Sequence, residues 1–122
     1  MINTDKYIEK LIAKISTIKT CYYEEAPKGI DYPYFTLSSF VMSDLANGYL
    51  VLFDIDVWTN EYTDSNIDQL CDQLINELDK TTLNEDGFFS SHINFENQNM
   101  VKDNEQDLIS RKVSFAARIF FK

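Results

Sequence analysis

The chain has 122 residues, of which 44% are hydrophobic and 25% are charged, a balance typical of a globular protein, and we expect residues 1–122 to form a single domain. Lys and Arg number 11 against 20 Asp and Glu, which gives a net charge of −9. This charge disfavours tight or sequence-specific DNA binding, because such binding normally depends on Lys and Arg contacts with phosphates.

The first half of the chain predicts a helix, a short strand and a hairpin. A helical spacing of apolar residues runs from Thr4 to about Lys19. "TCYYEE" predicts a short strand, and "APKGIDYPY" predicts a bend. "YFTLSSFVM" should pair with a return strand through the connection "SDLANG", whose Asn47-Gly48 suits a hairpin turn. Phe35, Leu37, Ser39 and Val41 should share one face of the first strand. The predicted core face of the return strand holds Val51, Phe53, Ile55 and Val57.

The second half predicts another helix and two strands. Helical spacing recurs from about Ser65 to Lys80, with Thr63 or Asp64 as the N-cap. "TTLNEDG" should end this helix, and "FFSSHINFE" reads as a strand. A polar loop over about 97–107 should lead to a last strand at about 108–121, in which apolar residues alternate.

The fold class follows from where these apolar faces can be buried. Each predicted helix has one apolar stripe, and each long strand has one apolar face. Both are buried when the helices cover the same side of a sheet. We therefore predict an α+β fold, a two-layer sandwich with two helices packed on one face of a mostly antiparallel sheet of four or five strands.

Asp54 and Asp56 are the first candidates for chemistry, because they lie two residues apart on one face of the return strand. Such a pair could hold a divalent metal ion if other oxygen ligands converged on it. However, an Asp-x-Asp pair is a weak motif, and a solvated strand face is commonly polar at alternate positions. Lys112, Arg118 or Lys122 of the last strand could pair with these carboxylates, and we expect no metal site.

Other catalytic or cofactor sites are not indicated. His92 is the only histidine, the two cysteines lie fifty positions apart, and the three glycines are isolated. These features leave zinc sites, catalytic triads and phosphate-binding loops unsupported. We expect no enzyme activity and no cofactor. The polar N-terminus and the lack of a run of ~18 apolar residues predict neither a signal peptide nor a membrane span.

Apolar residues also occupy the strand face that should be solvated. Leu50, Leu52 and Trp58 flank the two aspartates, and Phe120 adds to them from the last strand. Two helices are too few to cover both faces, so we interpret these residues as contacts with another protein or subunit. In the predicted 97–107 loop, Met100 and Val101 are further contact candidates, with an idle loop as the alternative.

At this point the chain resembles a known family. "EEAPKGIDYPYFTL", a hairpin, "DIDVWTNEYTD", a helix and two closing strands look like the tail-terminator, or tail-completion, proteins of long-tailed bacteriophages and their prophage relatives. The resemblance covers nearly the whole chain. It rests on the order of elements and on three short segments, which are Ala26-Pro27, Tyr32-Pro33-Tyr34 and Val57-Trp58-Thr59.

The resemblance implies a structural protein that forms a ring, commonly of six copies, at the head-proximal end of a tail tube. Such a ring stops tube growth, offers a surface to the head's connector and lets DNA pass without sequence-specific binding. The implied partners are other copies, the tail tube protein and the connector protein, in a virion tail assembled in the host cytoplasm. Leu52, Trp58 and Phe120 would then be buried only in the assembly, and Asp54 and Asp56 could face the channel.

Three alternatives remain open from the sequence. Another connector or adaptor ring protein would share the acidity and the lack of catalytic motifs. A small ligand-binding or regulatory domain would use the apolar patch as a pocket wall. A metal-dependent hydrolase would be built on Asp54 and Asp56.

Overall fold

The computed structural model describes residues 4–60, 67–103 and 108–121, without the side chains at 60, 101–103 and 108. The predicted N-caps of the second helix, Thr63 and Asp64, lie outside the described residues. The helices are α1 (Thr4–Ile15) and α2 (Ile67–Leu78). The strands are β1 (Cys21–Tyr23), β2 (Tyr34–Leu45), β3 (Gly48–Asn60), β4 (Thr81–Glu85), β5 (Phe89–Asp103) and β6 (Leu108–Phe121).

The strands form one six-stranded sheet in the order β1-β2-β3-β6-β5-β4. β1 pairs with β2 in parallel, whereas every other neighbouring pair is antiparallel. The sheet is therefore mixed, and it curls into a half-barrel.

The predicted fold class is wrong. The sequence predicts a two-layer sandwich with two helices on a mostly antiparallel sheet of four or five strands, whereas the described chain is mostly a curled, mixed, six-stranded sheet with two helices. Strand length is the physical reason. β2, β3, β5 and β6 are 12 to 15 residues long, and the right-handed twist of such strands accumulates until the sheet coils.

Two β-bulges at one level of the sheet add to this curvature. The strand register shifts at Ser38 in β2 and at Glu96 in β5. The next residues, Ser39 and Asn97, lie in a single row across the sheet, joined through the two central strands. Because a bulge bends its strand and increases the local twist, β2 and β5 both bend at this row.

Three predicted boundaries are also wrong. Residues 97–103 continue β5 instead of forming a polar loop, and residues 104–107 lie outside the described part of the chain. "TTLNE" forms β4, where the sequence predicts only the end of a helix. Leu45 pairs with Gly48, so the predicted connection "SDLANG" is partly strand. In each case pairing with a neighbouring strand outweighs the low strand propensity of Asn, Asp and Gln.

Both helices lie on one face of the sheet, called here the helix face. The Tyr7 ring of α1 packs against Phe40 and Phe89, with ring centroids 6.1 and 5.0 Å apart. Arg111 of β6 donates a hydrogen bond to Asp68 of α2. The core between the helices and the sheet is built mainly from large side chains with no more than 1% exposure, among them Phe35, Phe53, Phe115, Leu74 and Ile93. Each contributes about 1.5–3 kcal/mol on burial.

Candidate interaction surface

The face of the sheet opposite the helices, called here the open face, carries no helix from the described residues. Val51, Phe53, Ile55 and Val57 of β3 are at most 1% exposed on the helix face. Because successive strand residues point to opposite faces, the residues between them point to the open face. They are Leu50, Leu52, Asp54, Asp56 and Trp58, and their partners across β6 are Arg118, Ala116, Ser114, Lys112 and Ser110.

One half of the open face, next to the β2–β3 turn, is apolar and exposed. Val41 and Leu52 are adjacent in the strand register and are 55% and 49% exposed. Leu45 and Phe120 lie on either side of Gly48 and are 38% and 48% exposed. Leu50, between these pairs, is half-buried. We call these five residues the apolar patch. Leu50, Leu52 and Phe120 are contact candidates from the sequence that the fold brings together.

The middle of the open face is polar, and its two aspartates have partners within the chain. Asp54 Oδ1 accepts a hydrogen bond of 2.6 Å from Ser114 Oγ. Asp56, only 9% exposed, lies 3.2 Å from Lys112 Nζ, so the expected pairing with the last strand is present. Within the described residues, no three His, Cys, Asp or Glu side chains converge as metal ligands would.

Trp58 lies at the far end of the open face among tyrosines. Its indole Nε1 donates a hydrogen bond of 3.0 Å to Thr36 Oγ1, and its ring stacks on Tyr34 at 6.4 Å. Tyr34 also stacks on Tyr32 at 5.4 Å, and its partial burial raises the pKa of its hydroxyl. Trp58 is therefore half-buried and anchored within its own chain, whereas Leu52 and Phe120 are the more available candidates.

Val41 belongs to this surface although the sequence predicts it on the same strand face as Phe35 and Leu37, which are buried in the core. Strict alternation from Phe35 and Leu37 puts Ser39 and Val41 on the same face, but the bulge at Ser38 inverts the order. Phe40 and Met42 therefore pack against the core, and Val41 is exposed. The adjacent serines of "SSF" were the available signal for an irregular strand, although such a signal is weak.

A shallow groove joins the apolar patch to the polar middle of the open face. Its volume is about 560 Å³. The lining residues come from the bulged strands and the two central strands, and they are Ser39, Val41, Leu52, Asp54, Glu96, Asn97, Ser114 and Phe115. Apolar walls beside two carboxylates suit a partner side chain with an apolar stem and a cationic head.

The two candidates from the predicted loop do not join this surface. Met100 is 67% exposed, but it pairs with Arg111, whose side chain lies on the helix face. Val101 pairs with Ser110 in the strand register, and its side chain is outside the described residues. Among the described residues, no helix is long and apolar enough to cross a lipid bilayer.

Comparisons with known proteins agree with the resemblance found in the sequence. The structure is similar to a chain in the "Virion of native gene transfer agent (GTA) particle", with a TM-score of 0.67 and 18% identity over 86% of this chain and 83% of that chain. At this identity the similarity shows the fold alone. None of the curated proteins matched the chain. The family model described as "Tail completion protein gp17" matches residues 8–119. The chain therefore belongs to the tail completion protein gp17 family, a family of structural virion proteins.

Proposed function

We propose that this protein forms a ring at the head-proximal end of a phage tail tube, where it ends tube polymerisation and provides the surface that joins tail to head. The apolar patch on the open face is the observation that carries this proposal. Four of its side chains are 38–55% exposed and lie next to each other, an arrangement that marks a protein contact in soluble proteins. Family membership supplies the tail as the setting.

The proposed partners of this surface are other copies of the chain, the tail tube protein and the head–tail connector protein. A ring that closes by rotation uses a different patch on each side of every copy. Leu50, Leu52, Trp58 and Phe120 would contribute to one such contact on the open face. Met100, on the helix face, would belong to a different contact, and Val101, whose side chain lies outside the described residues, is proposed as its neighbour in that contact.

The charge of the chain suits a channel through which DNA passes. A net charge of −9 per copy surrounds the opening of a ring with negative potential, which repels phosphates and prevents tight binding. Asp54 and Asp56 would contribute to this negative potential if the open face borders the channel. The ion pair with Lys112 reduces the contribution of Asp56. A non-enzymatic role is consistent with a family of structural virion proteins.

Deletion of the gene from the phage or prophage that carries it tests this function. We expect overlong tails and heads without tails in electron micrographs, with both defects corrected by the wild-type gene supplied in trans. Tails of normal length that lack heads would contradict tube termination and would favour the alternative role of a connector or adaptor ring. Normal, infectious particles would contradict both roles.

A further inference from the structure

On each side of the described sheet the outermost strand is short, so part of β2 on one side and part of β5 on the other have no described strand beside them. We propose that these two edges pair between successive copies, so that the sheet of one copy continues into the next. The β2 edge comprises residues 39–45, and the β5 edge comprises residues 94–100. The inference rests on the ring proposed above, because it names the contact that would close the ring.

The β2 edge is free because β1 is very short. β1 pairs with β2 only at Phe35, Thr36 and Leu37. Beyond these residues β2 pairs with β3 as far as Leu45, and its other side has no strand neighbour among the described residues. The backbone groups on that side form a template for another strand.

The β5 edge is free because β4 is short too. β4 pairs with β5 between Phe89 and Ile93. At Phe95 the backbone N–H donates a hydrogen bond of 2.8 Å to Asp79 Oδ1, which marks the end of this pairing. From there to Met100 the strand has β6 on one side and no described strand on the other.

The directions of the two edges suit a contact between rotated copies. Three antiparallel steps separate β2 from β5, through β3 and β6, so the two edge strands run in opposite directions. Rotation about a ring axis leaves unchanged the component of a strand's direction that lies along the axis. The β5 edge of one copy therefore meets the β2 edge of the next in antiparallel orientation, the pairing that dominates within the sheet. One edge is used on each side of every copy, as a closed ring requires.

The composition of the edges favours a second copy as the partner. Natural sheets protect free edges with Lys, Pro, several charges or β-bulges. The two edges contain neither Lys nor Pro, and of these devices they have the bulge at Glu96 in the β5 edge and the bulge at Ser38 just before the β2 edge. The β2 edge has a single charged residue, Asp44, and the β5 edge has a single one, Glu96, although a quarter of all residues in the chain are charged. Two copies that each carry −9 can approach most closely where both surfaces are nearly uncharged. Val41 and Leu45 belong both to the β2 edge and to the apolar patch, so the pairing would extend this patch into the junction.

Thiol cross-linking in assembled particles tests the pairing. Ser43 and Asn99 are exposed, one on each edge, so S43C with N99C places a thiol on both edges, and S43C with N97C covers a neighbouring register. We expect a short bis-maleimide to produce a ladder of covalent multimers from at least one of these double variants. The native thiols should stay unmodified, because Cys21 is 6% and Cys71 is 0% exposed.

Two kinds of control make the outcome specific. Each single variant should give no covalent multimers, because head-to-tail pairing keeps identical edges apart. The double variant S43C with Q73C has its second thiol at an exposed position of α2, away from both edges, and should also give no ladder. Covalent dimers from S43C alone, or no ladder from either edge pair, would overturn the pairing. If deletion of the gene lengthens tails while neither edge pair cross-links, the edge pairing fails and the proposed function stands; normal tails after deletion would reject the function itself.

Discussion

Of the three glycines, Gly48 leaves the least room for a side chain. It opens β3 with a φ of +119°, and a Cβ there would lie 2.7 Å from the carbonyl oxygen of Ile119 and 2.9 Å from the Phe120 ring. We expect Gly48→Ala to lower the free energy of unfolding by about 1–3 kcal/mol, because the backbone is strained and the carbonyl cannot move away easily.

Gly87→Ala is the matched control for this prediction. Gly87 has a φ of +81°, but apart from its chain neighbours no atom of the described residues lies within 4 Å of the added Cβ. Only the strain of the backbone conformation should therefore lower stability there. Denaturant unfolding of both variants should give the larger loss at Gly48. An equal loss at both positions would mean that the close approach of β6 has no energetic effect.

The two cysteines make stability sensitive to alkaline pH. Burial raises the pKa of Cys21 from 9.0 to about 12 and that of Cys71 from 9.0 to about 11. In the unfolded chain both thiols ionise near pH 9, whereas in the folded chain they stay protonated. Their contribution is therefore complete below pH 9 and is lost as the pH rises from 9, towards 11 for Cys71 and towards 12 for Cys21.

We expect the free energy of unfolding to fall between pH 9 and 10, and Cys71→Ala to make this fall shallower by up to about 1.4 kcal/mol per pH unit. Chemical denaturation at several pH values measures both slopes. Burial also raises the pKa of Tyr7, from 10.0 to about 12. Measurements restricted to pH values below 10 limit the contribution of Tyr7 to both slopes. Identical slopes for the wild type and the variant would show that Cys71 titrates alike in both states.

At the scale of elements, Asp79 connects the end of α2 to the bulged part of β5. Its backbone N–H donates to Ile75 O at 2.7 Å, and its Oδ1 accepts the hydrogen bond from Phe95 N at 2.8 Å. Asp79→Ala leaves that N–H without its acceptor, which should cost about 1–3 kcal/mol. Asp79→Asn retains an oxygen at Oδ1 and should cost less. Thermal unfolding compares the two, and faster hydrogen exchange at Phe95 in the alanine variant alone would support the connection.

The elements also show where local sequence signals are sufficient. The apolar spacing that predicts the helices is satisfied by Tyr7, Leu11, Leu74 and Leu78, all at 0% exposure. Helix periodicity is a local signal, because the apolar stripe of a helix needs only an apolar surface against which it can be buried. Strand ends are different. β4 and the far part of β5 are stabilised by pairing with the next strand along the chain, and their own polar residues gave no indication of a strand.

For the whole molecule, the apolar patch should matter for assembly and not for folding. Leu52 is 49% exposed, so Leu52→Glu should change the free energy of unfolding by less than about 0.5 kcal/mol. A buried carboxylate in a subunit contact is costly, so this variant should fail to restore normal tails in a deletion strain.

Tyr23→Glu is a suitable comparison for Leu52→Glu, because Tyr23 is 48% exposed and borders α1 on the helix side. Complementation measured by plaque or particle yield should be impaired more by the change at Leu52. Full complementation by Leu52→Glu would contradict a contact at the apolar patch. Loss of stability in the purified variant would instead reveal a role in folding.

The sequence by itself determined the two helices, the inward residues of the central strands and the membership of a tail completion family. These features depend on local periodicity and on the order of elements along the chain. The apolar excess on the open face was visible too, since Leu50, Leu52 and Phe120 alternate with core residues in their strands.

Only the tertiary structure decided the curled six-stranded sheet, the exposure of Val41 and the internal partners of Asp54 and Asp56. A single bulge at Ser38 reverses the face of the sheet to which each later side chain of β2 points. The position of this bulge is set by pairing with β3. The free sheet edges could not be predicted from the sequence either, because an edge is free only when the neighbouring strand ends early. Such features are the outcome of contacts between distant segments, which local residue patterns do not encode.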